Sequence, residues 1–271
     1  MMKTWIILSV FMLVNIRTKG QPNCYVFKNN LPCHEACLLA TSATNGQGSR
    51  ESQMQFDKAI ELCPSLDYAY FEKSVPYIKR GDLKTWRALI DKAIELNPSV
   101  HLRYRAWCRF QFARDYKGAI EDFKKMRSLV GEEIGYSQNG DYNLNIVEAL
   151  CYSKLGQVPL AIQLIEKQFA KKNYSPGSYD YLHLGILKIN NHQYEEGIQW
   201  LDKEISLNDY LADTYYYRGV AYWKLGQKEK ARKSMEKARE FYIKGYKRSD
   251  PYTHPLDKVY LSEIEAALSG G

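Results

Sequence analysis

Four of the six cysteines stand near the N-terminus, at Cys24, Cys33, Cys37 and Cys63. Clustered thiols can bind a metal or pair as disulfides. The stretch Cys33-His34-Glu35-Ala36-Cys37 offers ligand types that zinc accepts. Neighbours on a helix point in different directions, however, and this spacing is not that of a recognised finger. In an exported chain the same four thiols favour a disulfide framework, and no metal is assigned. Cys108 and Cys151 stand apart in apolar surroundings and read as free, buried thiols. A nucleophilic enzyme would need a base and an orienting acid beside its cysteine or serine. The histidines are His34, His101, His183, His192 and His254. None lies in a nucleophile elbow, a glycine-rich phosphate loop or a zinc-protease motif. No catalytic residue and no cofactor is therefore assigned, and the chain reads as non-enzymatic.

The N-terminus bears on the fate of those thiols. Lys3 precedes an apolar run from Trp5 to Val14, and small Thr18 and Gly20 stand three and one residues before Gln21. This layout predicts a secretory signal over residues 1–20, hence export to a periplasmic or secreted location. The run is too short to span a bilayer comfortably, and no transmembrane segment is expected after cleavage. Losing Lys3, Arg17 and Lys19 lowers the formal charge from +7 to +4. Most of the basic excess lies in residues 224–248, which hold ten Lys or Arg against three Glu. Such a run reads as a solvated helix face or as a surface for an acidic partner. Nothing resembles a nucleic-acid module.

The elements that carry these residues are legible from a repeated phrase. DKAIELCPS occupies Asp57–Ser65 and DKAIELNPS occupies Asp91–Ser99, eight of nine residues alike at an offset of 34. Each copy ends an amphipathic run at Leu-x-Pro, where proline stops the helix. A period near 34 marks stacked pairs of helices. Two later stretches keep the beat: Tyr181–Asp209 with Leu184, Gly185, Gly197 and Leu201, and Tyr215–Ala238 with Gly219, Tyr222, Gly226, Ala231 and Ala238. Together these resemble the tetratricopeptide repeat over nearly all of the mature chain.

The resemblance implies an all-α, right-handed superhelical solenoid of about six helix-turn-helix repeats. After the signal and a lead-in over 21–32, the repeats are placed at 33–66, 67–99, 100–130, 142–177, 178–211 and 212–245. An inserted loop takes 131–141, and a linker with a capping helix from Leu256 to Leu268 takes 246–271. Small residues such as Ala40, Ala119, Ala149, Ala161, Gly219 and Ala231 would let paired helices approach, with Phe56, Phe110, Phe123 and Tyr152 filling between them. Pro76 and Trp86 fit the second repeat poorly and predict a kink or offset there. Antiparallel pairing brings the start of the first helix near the end of the second. Cys63 is thus expected to bond Cys33 or Cys37, with Cys24 taking the other.

By the same resemblance, the first helix of each repeat lines a concave groove. That groove would display Tyr68, Phe71, Tyr104, Phe112, Tyr179, Leu182, Tyr216 and Trp223, with Lys79, Lys154, Asn190 and Lys224 among them. Rings interspersed with amide and ammonium groups suit an extended peptide or a partner helix. The carboxylate clamp of chaperone-adaptor arrays is absent, because Phe71, Val75, Arg105, Asn143 and Val147 stand at its places. A protein- or peptide-binding scaffold is the function expected; a structural subunit working through its basic convex surface is the alternative.

Overall fold

The computed structural model describes residues 22–270, so the signal expected over residues 1–20 lies outside the described residues. Thirteen α-helices and a few short turns carry the described chain. They pair as α1 (Leu31–Ala43) with α2 (Arg50–Leu62), α3 (Asp67–Lys79) with α4 (Leu83–Leu96), and α5 (Pro98–Cys108) with α6 (Tyr116–Val130). Then follow α7 (Leu144–Lys154) with α8 (Val158–Phe169), α9 (Asp180–Asn190) with α10 (Tyr194–Leu207), and α11 (Ala212–Lys224) with α12 (Lys228–Ile243). A last helix, α13 (Leu261–Ser269), packs on α12. Each pair also stacks on the next, and this stacking gives the helices α1 to α12 a second partner and builds one large apolar cluster and two smaller ones toward the C-terminal end.

Local chemistry sets the boundaries. Asn30 caps α1 by accepting the Cys33 N–H at 3.3 Å, and Pro32 sits in the first turn, so α1 begins two residues before Cys33. Ser49, Asp82 and Asp115 cap α2, α4 and α6 in the same way. The repeated phrase ends α2 and α4, each closing on an extended residue, Cys63 or Asn97. The period also places equivalent positions side by side. His101 and Asp67, 34 residues apart, meet at 2.7 Å across the second and third repeats.

Two glycines hold the fifth repeat at its closest approach. A Cβ on Gly185 would stand 2.7 Å from Leu201, and one on Gly197 would stand 2.7 Å from Ile189. Alanine gains about 1 kcal/mol of helix propensity over glycine, but overpacking a core costs about 1–3 kcal/mol. Gly185→Ala is therefore expected to lower stability by about 1–2 kcal/mol, seen as an earlier urea midpoint with an unchanged slope.

In the second repeat, α3 runs unbroken as an α-helix through Pro76, which is buried against the turn at Gly48. Trp86 is wholly buried beneath it, taking the space that a small residue holds elsewhere. The third repeat departs from regular geometry. After Cys108, α5 continues as a π-turn over Arg109–Ala113 and ends on Arg114 in the left-handed region, φ 55°. The inserted loop folds back on itself through a bridge between Tyr136 and Asn143, with Ile134 buried beneath it.

Two expectations need correction. The capping helix starts at Leu261, not at Leu256. Pro255 is buried in irregular chain and Leu256 in the turn that follows, and Glu263 caps the Tyr260 N–H at 2.8 Å, which sets the helix start. The basic run is also not wholly a solvated face, because its last member, Arg248, lies buried inside the array.

Candidate functional site

The four N-terminal cysteines form Cys24–Cys37 and Cys33–Cys63 disulfides. The second joins the start of α1 to the end of α2, and the first ties the lead-in to the next turn of α1. Both thiols of the Cys33–Cys37 stretch are thereby consumed and cannot serve as thiolate ligands. Cys108 and Cys151 are free and buried. Burial pushes the Cys108 thiol up to about 12 and raises Cys151 well above its usual range, so neither is a thiolate nucleophile at neutral pH.

The groove is more closed than its sequence implies. Tyr68, Phe71 and Leu182 are buried and are not displayed to a ligand. Phe71 packs edge-on against Tyr104 at 4.9 Å and lies 5.0 Å from His101, so inter-repeat stacking takes up its ring. Leu182 joins the apolar cluster with Ile186 and Leu211. Tyr104, Phe112, Tyr179, Tyr216 and Lys79 are half-buried, while Trp223, Lys154, Asn190 and Lys224 are exposed.

Several of these residues meet at one object that the sequence reading missed. Between α12 and α13 the chain leaves the last repeat, reaches as far as the second and third, and returns. Lys79 of the second repeat stands 5.0 Å from the centre of the Tyr252 ring. In the third, the Gln111 carbonyl accepts the Thr253 hydroxyl at 3.1 Å, and Arg114 donates to the His254 carbonyl. In the fourth, Lys154 pairs with Asp257 at 2.7 Å. In the sixth, the Tyr217 hydroxyl donates to the Asp257 carbonyl at 3.0 Å. The π-turn explains the Gln111 contact. Carbonyls in the last turn of a helix lack intrahelical partners, and here one faces the loop.

Arg248 fastens the loop's base. Its Nε lies 2.9 Å from an Asp213 oxygen and its backbone N–H donates to the other at 3.1 Å, both side chains being only 2% exposed. Its Nη2 also donates to the Asp257 carbonyl at 2.9 Å, which ties the two ends of the loop together. Asp257 takes φ 54°, a left-handed turn that Asp tolerates, and the chain there reverses toward α13. The apex is held differently: Pro251, Tyr252 and His254 are exposed.

Beneath the loop lies a buried polar layer. Asp180 accepts the Tyr174 hydroxyl and the Gly177 N–H, and Glu204 accepts the Leu182 N–H at 3.2 Å. His183 is wholly buried, and burial beside Arg248 and Lys154 keeps it well below its usual range and so neutral. Burial, with Asp180 adding to it, pushes the Glu204 carboxyl from 4.5 up to about 7. Between those values the native chain keeps a proton that the unfolded chain releases. Stability from this group is therefore complete below about 4.5 and lost as pH rises through 7. Glu204→Gln keeps an acceptor for Leu182 and cannot ionise. It is expected to raise stability at pH 8 by about 2–3 kcal/mol and to change it little at pH 5, as measured by urea midpoints.

A second concavity, about 720 Å³, opens between α11, α12 and α13, where Trp223, Met235 and Leu268 meet Arg232 and Glu265. It is open because α13 replaces a following repeat over only part of the terminal face. Among the described residues, no three His, Cys, Asp or Glu side chains are grouped to hold a metal, and no helix is long and apolar enough to cross a membrane.

A tetratricopeptide-repeat family model matches residues 212–243, the sixth pair. Solved structures extend the likeness along the chain. PilW, described as a widely conserved type IV pilus biogenesis factor, is 16% identical and aligns over 83% of this chain and 96% of its own, with a TM-score of 0.61. PilF of Pseudomonas aeruginosa is 13% identical over 88% of this chain and 99% of its own, also at 0.61. YrrB, described as a TPR protein with an unusual peptide-binding site, is 21% identical over 69% and 92%, at 0.51. The fold is a tetratricopeptide-repeat solenoid. No curated protein sequence matches the chain. At these identities the likeness concerns the tetratricopeptide fold alone.

Proposed function

We propose that this chain is an exported, non-enzymatic scaffold whose concave groove binds an extended segment of a partner protein. One observation carries the reading. The groove holds a bent, proline-containing stretch through side chains of the second, third, fourth and sixth repeats, two of them, Arg114 and Tyr217, directed at main-chain carbonyls. Side chains that grip carbonyls accept many sequences in one backbone conformation, which is the property a peptide groove requires. The peptide-binding site named for YrrB lies on an array of the same fold and agrees with this reading. Two disulfides in a stretch of 40 residues support export, since reducing compartments seldom keep such bonds.

A photo-cross-linking residue placed in turn at Phe112 and Trp223, and at convex Lys92 and Lys125, tests this in the native compartment. Adducts to one partner from the groove positions and none from the convex ones are expected. Adducts from the convex positions alone would overturn the groove reading in favour of an outer surface.

A further inference from the structure

The geometry points to the apex of the C-terminal loop, Ser249–Pro255, being a ligand held in cis, whose place a partner segment of like chemistry and like bend takes. This rests on the groove reading above and adds to it the partner's character and the step that admits it.

The two ends of the loop and its apex are built differently. The ends are permanent. Arg248 is buried on Asp213, and Leu256 and Val259 are buried in apolar packing. The apex is held to the repeats by one ammonium–ring contact, one hydroxyl bond, one guanidinium–carbonyl bond and the buried ring of Pro255, while Pro251, Tyr252 and His254 face water. Contacts of these kinds on a partly exposed segment each contribute little. The apex can therefore leave the groove while its base stays in place, with the left-handed turn at Asp257 and the Arg248 bonds fixing where it pivots.

What the apex leaves behind defines the newcomer. Lys79 offers an ammonium to an aromatic ring. The Gln111 carbonyl needs a donor one residue later. Arg114 needs a carbonyl one residue after that. The buried place of Pro255 takes a ring without an N–H. The matching segment bends at its start, where the Asp250 carboxylate accepts the Tyr252 and Thr253 N–H groups, and reads aromatic, then serine or threonine, then any residue, then proline. Tyr252-Thr253-His254-Pro255 is this chain's own copy of it. Proline restricts the backbone and lowers the entropy that binding must overcome.

A tethered loop competes with free peptide at an effective concentration in the millimolar range. The probe is a fluorescein-labelled peptide of sequence SDPYTHPL, taken from residues 249–256. It is titrated by anisotropy against the full chain and against the full chain carrying Tyr252→Ala and Thr253→Ala, which keep Arg248, Pro255 and Leu256. The altered chain is expected to bind the probe at least tenfold more tightly than the parent. Adding Arg114→Ala, or replacing the tyrosine of the probe by alanine, is expected to weaken that binding at least fivefold. Circular dichroism confirms that each chain is folded. Equal binding to parent and altered chains would overturn the cis-ligand inference while leaving a peptide groove standing. No binding to either folded chain would also overturn it, and cross-linking from Phe112 would then decide the groove reading separately. A parent chain that is dimeric, and becomes monomeric on Tyr252→Ala, would overturn it in favour of loop exchange between copies.

Discussion

Arg248→Ala is expected to destabilise the C-terminal part of the array by about 3–5 kcal/mol. Removing one partner of a buried pair leaves the other charge without compensation, and that loss dominates any gain from desolvating less. Here the stranded group is Asp213, which is 2% exposed and loses both the Nε–H donor and the surrounding guanidinium. The same substitution frees the Asp257 carbonyl from Nη2 and so loosens both ends of the loop. Solenoid stability is close to a sum of repeat and interface terms, and the effect should therefore be local. Hydrogen exchange is expected to lose protection over α11 to α13 while α3 and α4 keep theirs. The pair Asp213→Leu with Arg248→Met should recover much of the loss, because a buried ion pair is often replaceable by apolar groups of similar volume. If the double variant is as unstable as the single one, the stranded charge is not the cause.

Arg248 also shows where the sequence stops being legible. The 34-residue beat was readable because helix ends, small-residue positions and Leu-x-Pro stops are local signals. They placed the helix pairs to within a few residues. The groove's contents were not readable, because Thr253 meets Gln111 across 142 residues and His254 meets Arg114 across 140. No local pattern encodes such pairs. Arg248 was hidden in a basic run and was read as solvated with its neighbours. Two signals set it apart: it follows Gly245, past the end of α12, and it precedes Ser-Asp-Pro, which cannot continue a helix. Phe71 and Leu182 were assigned to the groove by position in the repeat, and the tight stacking of successive first helices took them into the core instead.

Loss of the Cys33–Cys63 bond is the other large expected effect, and it falls at the opposite end of the array. The first repeat has a thin core: α1 buries Ala36, Ala40 and Ala43 beside its two cysteines, where other first helices bury aromatic or branched side chains. Little apolar area is removed from water by alanine, so this pair of helices depends on its cross-links. The bond spans 30 residues, and closing a loop of that length in the unfolded chain is worth about 3–4 kcal/mol on the chain-entropy account. A chain carrying Cys33→Ser and Cys63→Ser is expected to lose about that much from α1 and α2, with hydrogen-exchange protection falling there first and α11 and α12 unchanged. Thiol titration of the parent separates this from a mere packing defect. The native chain should offer no reactive thiol, the denatured chain two, from Cys108 and Cys151, and the denatured and reduced chain all six. Four reactive thiols after denaturation alone would mean that one bond is absent. The residues that follow the two copies of DKAIEL, Cys63 and Asn97, then differ for a physical reason. At the end of α4 the turn needs only an extended residue and Asn97 supplies it, whereas at the end of α2 the same position also has to hold a repeat together.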